Sequence, residues 1–282
     1  MVSLPEWHEQ YPSQERLKAE VRAAADATVQ ALVETIPADD LAGIYVKGSA
    51  LKHWDTPIDY VPVLSDVDVH VLFADTATAS TYLGSVEQGL KLSALGEGLF
   101  RAAIPEPLHV PRVQLVNANR LYDDPEFIPS PTKTVERRIG IPYPHRELDL
   151  TTARSSAIKR TLEHEDYLAK LGDAMADLFG PHLRRILRDL SWRVSPTGPR
   201  VLELLGNSFE RVWSSNRTGI VRLLECSGES QLASDYVESY VQSWRYFLSQ
   251  DEDGDAAREA ISAAARGLSR GTEVAAAAAA AI

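Results

Sequence analysis

The chain has 282 residues, 44% hydrophobic and 24% charged, a balance that excludes a disordered chain and a membrane-embedded one and is enough for two modest domains. Against 40 acidic residues stand 29 basic ones, and the net charge of −11 argues against broad coating of nucleic acid while leaving room for a local basic groove. A single cysteine, Cys226, rules out an internal disulfide; inside an apparent helix and with no motif around it, it reads as a buried structural thiol in a reducing compartment.

The stretch Met1–Gln10 lacks a basic n-region and an apolar h-region, and no later run is long enough to span a bilayer, so a cytoplasmic chain without membrane contact is expected. Ser13 reads as the N-cap of a helix over 14–35 with an apolar stripe through Leu17, Val21, Ala24, Val29, Leu32 and Val33, stopped by Pro37. Leu41–Lys47 then reads as a buried strand that ends at Gly48-Ser49, where a short helix over Ala50–His53 is expected to turn backbone N–H groups toward an anion. Asp66–Phe73 is a second strand. Its Asp66 and Asp68, spaced i, i+2, leave one face while Val67, Val69 and Val71 leave the other.

A helical pattern over 77–104, weakened by Gly84, Gly89, Gly96 and Gly98, precedes a third strand at Val110–Val116. From Tyr122 to Leu150 the prolines at 125, 129, 131, 142 and 144 read as a long connecting loop. Helices follow over 155–179, 182–193, 199–205, 208–225, 230–249 and 255–268, with Ser195-Pro196-Thr197-Gly198-Pro199 among the breaks, and the alanine run 275–281 is low-complexity and helix-prone. The expected architecture is an α/β (α+β) head with a short mixed sheet over 1–150, its Pro-rich linker at the end. An all-α helical bundle over 151–270 and a tail over 271–282 follow it.

A strand ending in Gly48-Ser49, a loop, and a strand opening Ser65-Asp66-Val67-Asp68-Val69-His70 resembles the core motif of the DNA polymerase beta-like nucleotidyltransferase superfamily. The resemblance covers about residues 40–120; the 17 positions from Ser49 to Asp66 are at the long end, with Trp54–Tyr60 reading as an extended, ordered loop. It implies that Gly48 and Ser49 hold the triphosphate of an NTP and that Asp66 and Asp68 bind Mg2+. It further implies transfer of a nucleoside monophosphate to a hydroxyl, on a small molecule or, within the superfamily, a protein side chain or a tRNA end. Magnesium keeps waters and phosphate oxygens among its ligands, so two carboxylates on one strand face are sufficient anchors for an ion that arrives with a nucleotide. The acidic balance favours a compact acceptor over extended RNA.

The family's third carboxylate is missing. The matching strand reads Arg112-Val113-Gln114-Leu115-Val116, so Gln114 takes the catalytic position with an amide that orients a hydroxyl and takes no proton. Three explanations stay open: a base among Asp123, Asp124, Glu126, Glu136 or Glu147; catalysis with one well-held metal; or nucleotide binding without turnover. Lys47 is either a phosphate contact or a strand-end surface lysine, and His70 either a substrate contact or a half-buried structural histidine. Arg137-Arg138 and Arg184-Arg185-Arg188 are the dense basic groups, and Ser214–Gly219 is either a substrate contact or a helix cap.

Overall fold

Ser13 accepts a hydrogen bond from the Arg16 backbone N–H at 3.3 Å and so starts helix α1, Gln14–Thr35, in the computed structural model, which describes residues 2–125, 127–129, 131, 134–144 and 146–281. Leu17, Val21, Ala24 and Leu32 form its buried stripe, and Pro37 follows its extended C-cap Ile36. The head continues with β1 (Leu41–Lys47), β2 (Asp66–Phe73), α2 (Thr76–Leu83), α3 (Val86–Ala103), β3 (Arg112–Asn117), α4 (Ala118–Asp123) and β4 (Val135–Gly140).

These strands make one mixed sheet in the order β3-β2-β1-β4. Strand β1 runs antiparallel to β2 and β4, and β2 runs parallel to β3. A parallel pair needs a crossover, and α2 and α3 supply it. They are two helices rather than the single one expected over 77–104, because Gly84 closes α2 and Ser85 caps α3 by accepting from the Gln88 N–H at 3.1 Å.

Glu20, buried at 1% exposure within the α1 stripe, ties down the approach to β3. Its carboxylate accepts from the Leu108 N–H at 2.7 Å and lies 2.6 Å from His109 Nδ1. Burial opposes the charge, yet these contacts hold Glu20 below the usual carboxylate range.

Strand β4 lies where a loop was expected. Among the described residues Val135-Glu136-Arg137-Arg138-Ile139-Gly140 pairs with β1 alone, and an edge strand of this kind keeps charged residues toward solvent, so its apolar signal is weak. Arg137 and Arg138 therefore belong to a strand, and Arg138 is ion-paired with Asp26 of α1 and, at 3.2 Å, with Glu136.

The chain divides into two compact units that interleave in sequence: the head, Pro12–Lys52 and Ser65–Glu147, and a helical unit made of the residues up to Tyr11, His53–Leu64 and those from Leu148 onward. In the helical unit α5 (Leu150–Leu162), α6 (His164–Met175), α7 (Leu183–Leu204), α8 (Phe209–Ser214), α9 (Arg217–Cys226), α10 (Ser230–Leu248) and α11 (Gly254–Ala280) pack together. The pattern read over 155–179 is two helices that meet at Glu163, and the two patterns read over 182–193 and 199–205 are one helix, α7.

Two prolines inside α7 cost it backbone donors, and the fold compensates at one of them. Pro199 has no N–H for the Ser195 carbonyl, which instead accepts from the Tyr236 hydroxyl at 3.4 Å. Between the prolines, a Cβ on Gly198 would fall 2.6 Å from Ile220 Cγ2 of α9, so the small residue permits close helix contact. A sequence that looks like a linker is thus the crossing point of helices.

The alanine run is helical to Ala280, with Gly271, Thr272 and Ala275 buried. Cys226 is exposed at the end of α9, contrary to the buried thiol expected, because the buried face of that helix runs through Ile220, Val221, Leu223 and Leu224. Among the described residues no helix is long and apolar enough to cross a membrane.

The segment Trp54–Tyr60 is ordered but not extended. It forms a short 3-10 turn, Pro57–Asp59, buried in the helical unit, where Trp244 Nε1 donates to the Pro57 carbonyl at 2.8 Å and Arg217 Nη1 to the Ile58 carbonyl at 2.9 Å. The turn takes up part of the 17 positions from Ser49 to Asp66. Asn216 caps α9 by accepting from the Gly219 N–H at 2.8 Å, so the segment 214–219 serves as the helix start.

Candidate functional site

The strand register gathers the sequence-predicted residues on one face of the head sheet. Lys47 is paired with Asp68 across β1 and β2, while Asp66 is paired with Arg112 and Asp68 with Gln114 across β2 and β3. Side chains opposite one another in a register share a face, so Lys47, Asp66, Asp68, Arg112 and Gln114 lie together, and His70 and Tyr45 continue that face. Val67, Val69 and Val71, fully buried, point the other way.

Gly48 closes β1 in a left-handed conformation, φ +91°, and a Cβ there would lie 2.2 Å from Asp68 Oδ2. The glycine turn and the second carboxylate are therefore in direct contact. The residues after it form a turn in which the Leu51 N–H donates to the Gly48 carbonyl at 3.2 Å, in place of the short helix expected over Ala50–His53. With no helix there, no helix dipole is available to an anion at Gly48 and Ser49. Gly48→Ala is expected to combine backbone strain with a clash and to cost about 1–3 kcal/mol, read as a lowered melting temperature.

Charge on this face is nearly self-balanced. Arg112 Nε lies 3.0 Å from Asp66 Oδ1, an ion pair that the spacing of the sequence alone did not reveal. Burial raises the Asp68 carboxyl to about 6 and the neighbouring Asp66 charge adds to this, while Lys47 and Arg112 oppose it. Burial likewise lowers the Lys47 ammonium, with Asp68 pulling it back, so Lys47 is a half-buried neighbour of the site and not a surface lysine. His70 is buried at 4% exposure and driven down to about 3 by burial and then by Lys47; its Nδ1 lies 3.2 Å from the Tyr143 hydroxyl. It is a neutral, structurally held imidazole. Tyr143 also packs edge-on against Tyr45 at 4.9 Å between ring centroids, so the segment after β4 covers this end of the face.

A raised carboxyl has a definite effect on stability. Between the usual Asp value of 3.8 and about 6 the folded chain holds a proton on Asp68 that the unfolded chain has released. Stability from this group therefore falls as pH rises through that window. Asp68→Asn removes the effect: without divalent ions the variant is expected to gain on wild type by on the order of 1 kcal/mol between pH 4 and pH 7, allowing for partial exposure, as followed by urea midpoints.

The candidate bases fare differently. Glu136 is registered with Val46, which points to the face opposite Asp68, and it is paired with Arg138. Asp123 accepts from the Thr76 hydroxyl at 3.2 Å, the Asp124 carbonyl accepts from Arg146 at 3.0 Å, and Glu126 lies outside the described residues. Among the described residues no hydrogen bond or ion pair links Asp123 or Glu147 to Asp66 or Asp68. Arg184 is engaged by Asp251 at 2.7 Å within the helical unit.

For magnesium, the donors are two carboxylates and the Gln114 amide. Among the described residues no group of three His, Cys, Asp or Glu side chains could hold a metal. The set fits one hard cation that brings its remaining oxygen ligands with it, and it does not fit a second. Compared with family models, with curated proteins and with solved structures, the chain matches none of them.

Proposed function

We propose that the head is a magnesium-dependent nucleotidyltransferase module of the DNA polymerase beta-like kind, moving a nucleoside monophosphate from an NTP to a hydroxyl on a small molecule. The observation that carries this reading is the contact of Asp68 with the Gly48 turn, on the face that Asp66 shares. Phosphoryl transfer asks a protein mainly for positioning and charge, and this face offers both.

In this reading Asp66 and Asp68 hold the ion, which supplies charge neutralisation for the phosphates. Gly48 and Ser49 hold the leaving phosphates through the turn, and Lys47 adds a cation beside them. Arg112 keeps Asp66 in place, and Gln114, next to Asp68 in the register, orients the acceptor hydroxyl. That hydroxyl oxygen forms the new bond to the α-phosphorus, the bond to pyrophosphate breaks, and the proton leaves to solvent. NTP and a compact acceptor are the implied partners.

A second reading, nucleotide binding without turnover, is favoured by Gln114 in the third position and by the arginine already on Asp66. Incubation with magnesium, each α-labelled NTP and candidate hydroxyl acceptors separates the two. Label transfer supports the enzyme; nucleotide-dependent thermal stabilisation without transfer supports the binding module. No stabilisation with metal and NTP in excess would remove both.

A further inference from the structure

The helical unit contains a second charged constellation that the nucleotide face does not use. Arg160 near the end of α5 and Arg193 and Arg200 on α7 line a cavity of about 390 Å³, together with Glu163, His164 at the start of α6, Asp189 and Trp192. That volume is in the range of small-molecule sites. Three guanidinium groups on one cavity stand out in a chain whose net charge is −11.

Ordinary surface arginines are solvated or paired, and these are not matched one to one. Asp189, on the rim, is committed to Arg193 at 2.8 Å, and the same guanidinium lies over the Tyr167 ring at 3.8 Å. Arg160 donates to the Ser156 hydroxyl at 3.3 Å. Among the described residues neither Arg160 nor Arg200 forms an ion pair with a carboxylate. Glu163, which also lines the cavity, and Glu203 act on Arg200 without an ion pair, and Arg160 repels it.

The walls register the resulting positive field. Burial and then Arg160 bring Arg200 down to about 10, and burial followed by Arg200 and Arg193 brings His164 down to about 4. His164 is therefore neutral at physiological pH. Its Nε2 lies 3.0 Å from the Thr197 hydroxyl, whose own proton goes to the Arg193 carbonyl at 2.6 Å, so Nε2–H is the donor and the ring is fixed as a wall. Trp192, 50% exposed, gives the cavity a flat apolar side.

Planar guanidinium forks bind phosphate oxygens two at a time, and an exposed indole beside them stacks on a planar or apolar substituent. We propose that this cavity binds a small phosphate-bearing anion, with Arg160, Arg193 and Arg200 on the phosphate and Trp192 against whatever the phosphate carries. The ligand relieves the repulsion between Arg160 and Arg200, which Glu163 and Glu203 oppose without forming an ion pair with Arg200. The site is distinct from the proposed nucleotide face and does not depend on it.

Calorimetric titration of the full chain with inorganic phosphate and with phenyl phosphate, in the absence of divalent ions, tests this. Saturable binding is expected, weakened about tenfold or more in Arg160→Gln and in Arg200→Gln and retained in Asp68→Asn. Arg160 is exposed, so its variant keeps the test informative where Arg200→Gln fails to fold. Tighter binding of phenyl phosphate, lost in Trp192→Ala, identifies a phosphate ester as the ligand; equal binding that ignores Trp192 identifies free phosphate. The absence of saturable binding at millimolar concentration, or binding that survives Arg160→Gln and disappears in Asp68→Asn, overturns the proposal.

Discussion

Asp68→Asn is expected to lower magnesium-dependent nucleotide transfer by on the order of 10³, with Asp66→Asn less severe. Asp68 sits at the centre of the face, between Lys47 and Gln114 in the register and in contact with the Gly48 turn, so no other group can replace its charge there. Asp66 already shares its carboxylate with Arg112 at 3.0 Å, and part of its role is to hold that arginine. Unfolding will not imitate the result. Because burial raises the Asp68 carboxyl to about 6, the neutral isostere is expected to be at least as stable as wild type at pH 7 without metal. Initial rates with an α-labelled NTP, taken beside melting temperatures, check both halves; an Asp68→Asn enzyme with wild-type rates would remove Asp68 from the site.

The largest expected loss of stability comes from Asp59→Ala in the helical unit. Asp59 is 2% exposed, and its carboxylate accepts from the N–H groups of Asp55 at 2.8 Å, Thr56 at 3.1 Å and Thr218 at 2.8 Å, and from the Thr218 hydroxyl at 2.8 Å. Asn216 Nδ2 adds a longer contact at 3.3 Å. Truncation leaves the Thr56 and Thr218 backbone donors buried without an acceptor and detaches the 3-10 turn from the start of α9, at a cost of about 3–5 kcal/mol. Asp59→Asn keeps the shape but turns an amide toward N–H donors, and should lose roughly half as much. Urea unfolding followed by circular dichroism should show the midpoint fall in that order; unchanged midpoints would mean that the turn is held by its apolar contacts alone.

Much of the head was legible because its signals are periodic. Alternation in Asp66–Phe73 put both aspartates on one face, and the Ser13 cap and Leu17 stripe marked α1. The period of the third strand, Arg112-Val113-Gln114-Leu115-Val116, was also readable, and the parallel register sets Gln114 beside Asp68. What a sequence does not carry is the partner. The Arg112 pair with Asp66 and the Tyr143 contact with His70 both depend on which strands become neighbours, and neither leaves a local mark.

Other elements were hidden by their composition. Strand β4 is short, charged and flanked by prolines, as suits a sheet edge, and so reads as loop. Helix α7 runs through Pro196 and Pro199 because Tyr236 takes up a carbonyl and Gly198 lets α9 approach, compensation that is entirely tertiary. Trp54–Tyr60 gave a correct signal of order, but its burial in the helical unit rests on Asn216, Arg217, Thr218 and Trp244, more than 150 positions along the chain.

In the proposed function the Asp66 and Asp68 face holds one divalent ion together with a nucleotide. Titration of manganese in the presence of a non-hydrolysable NTP, with free ion counted by electron paramagnetic resonance, measures this directly. One saturable nucleotide-dependent ion per chain, lost in Asp68→Asn, is the predicted result; no bound ion, or ion binding that survives Asp68→Asn, would contradict it.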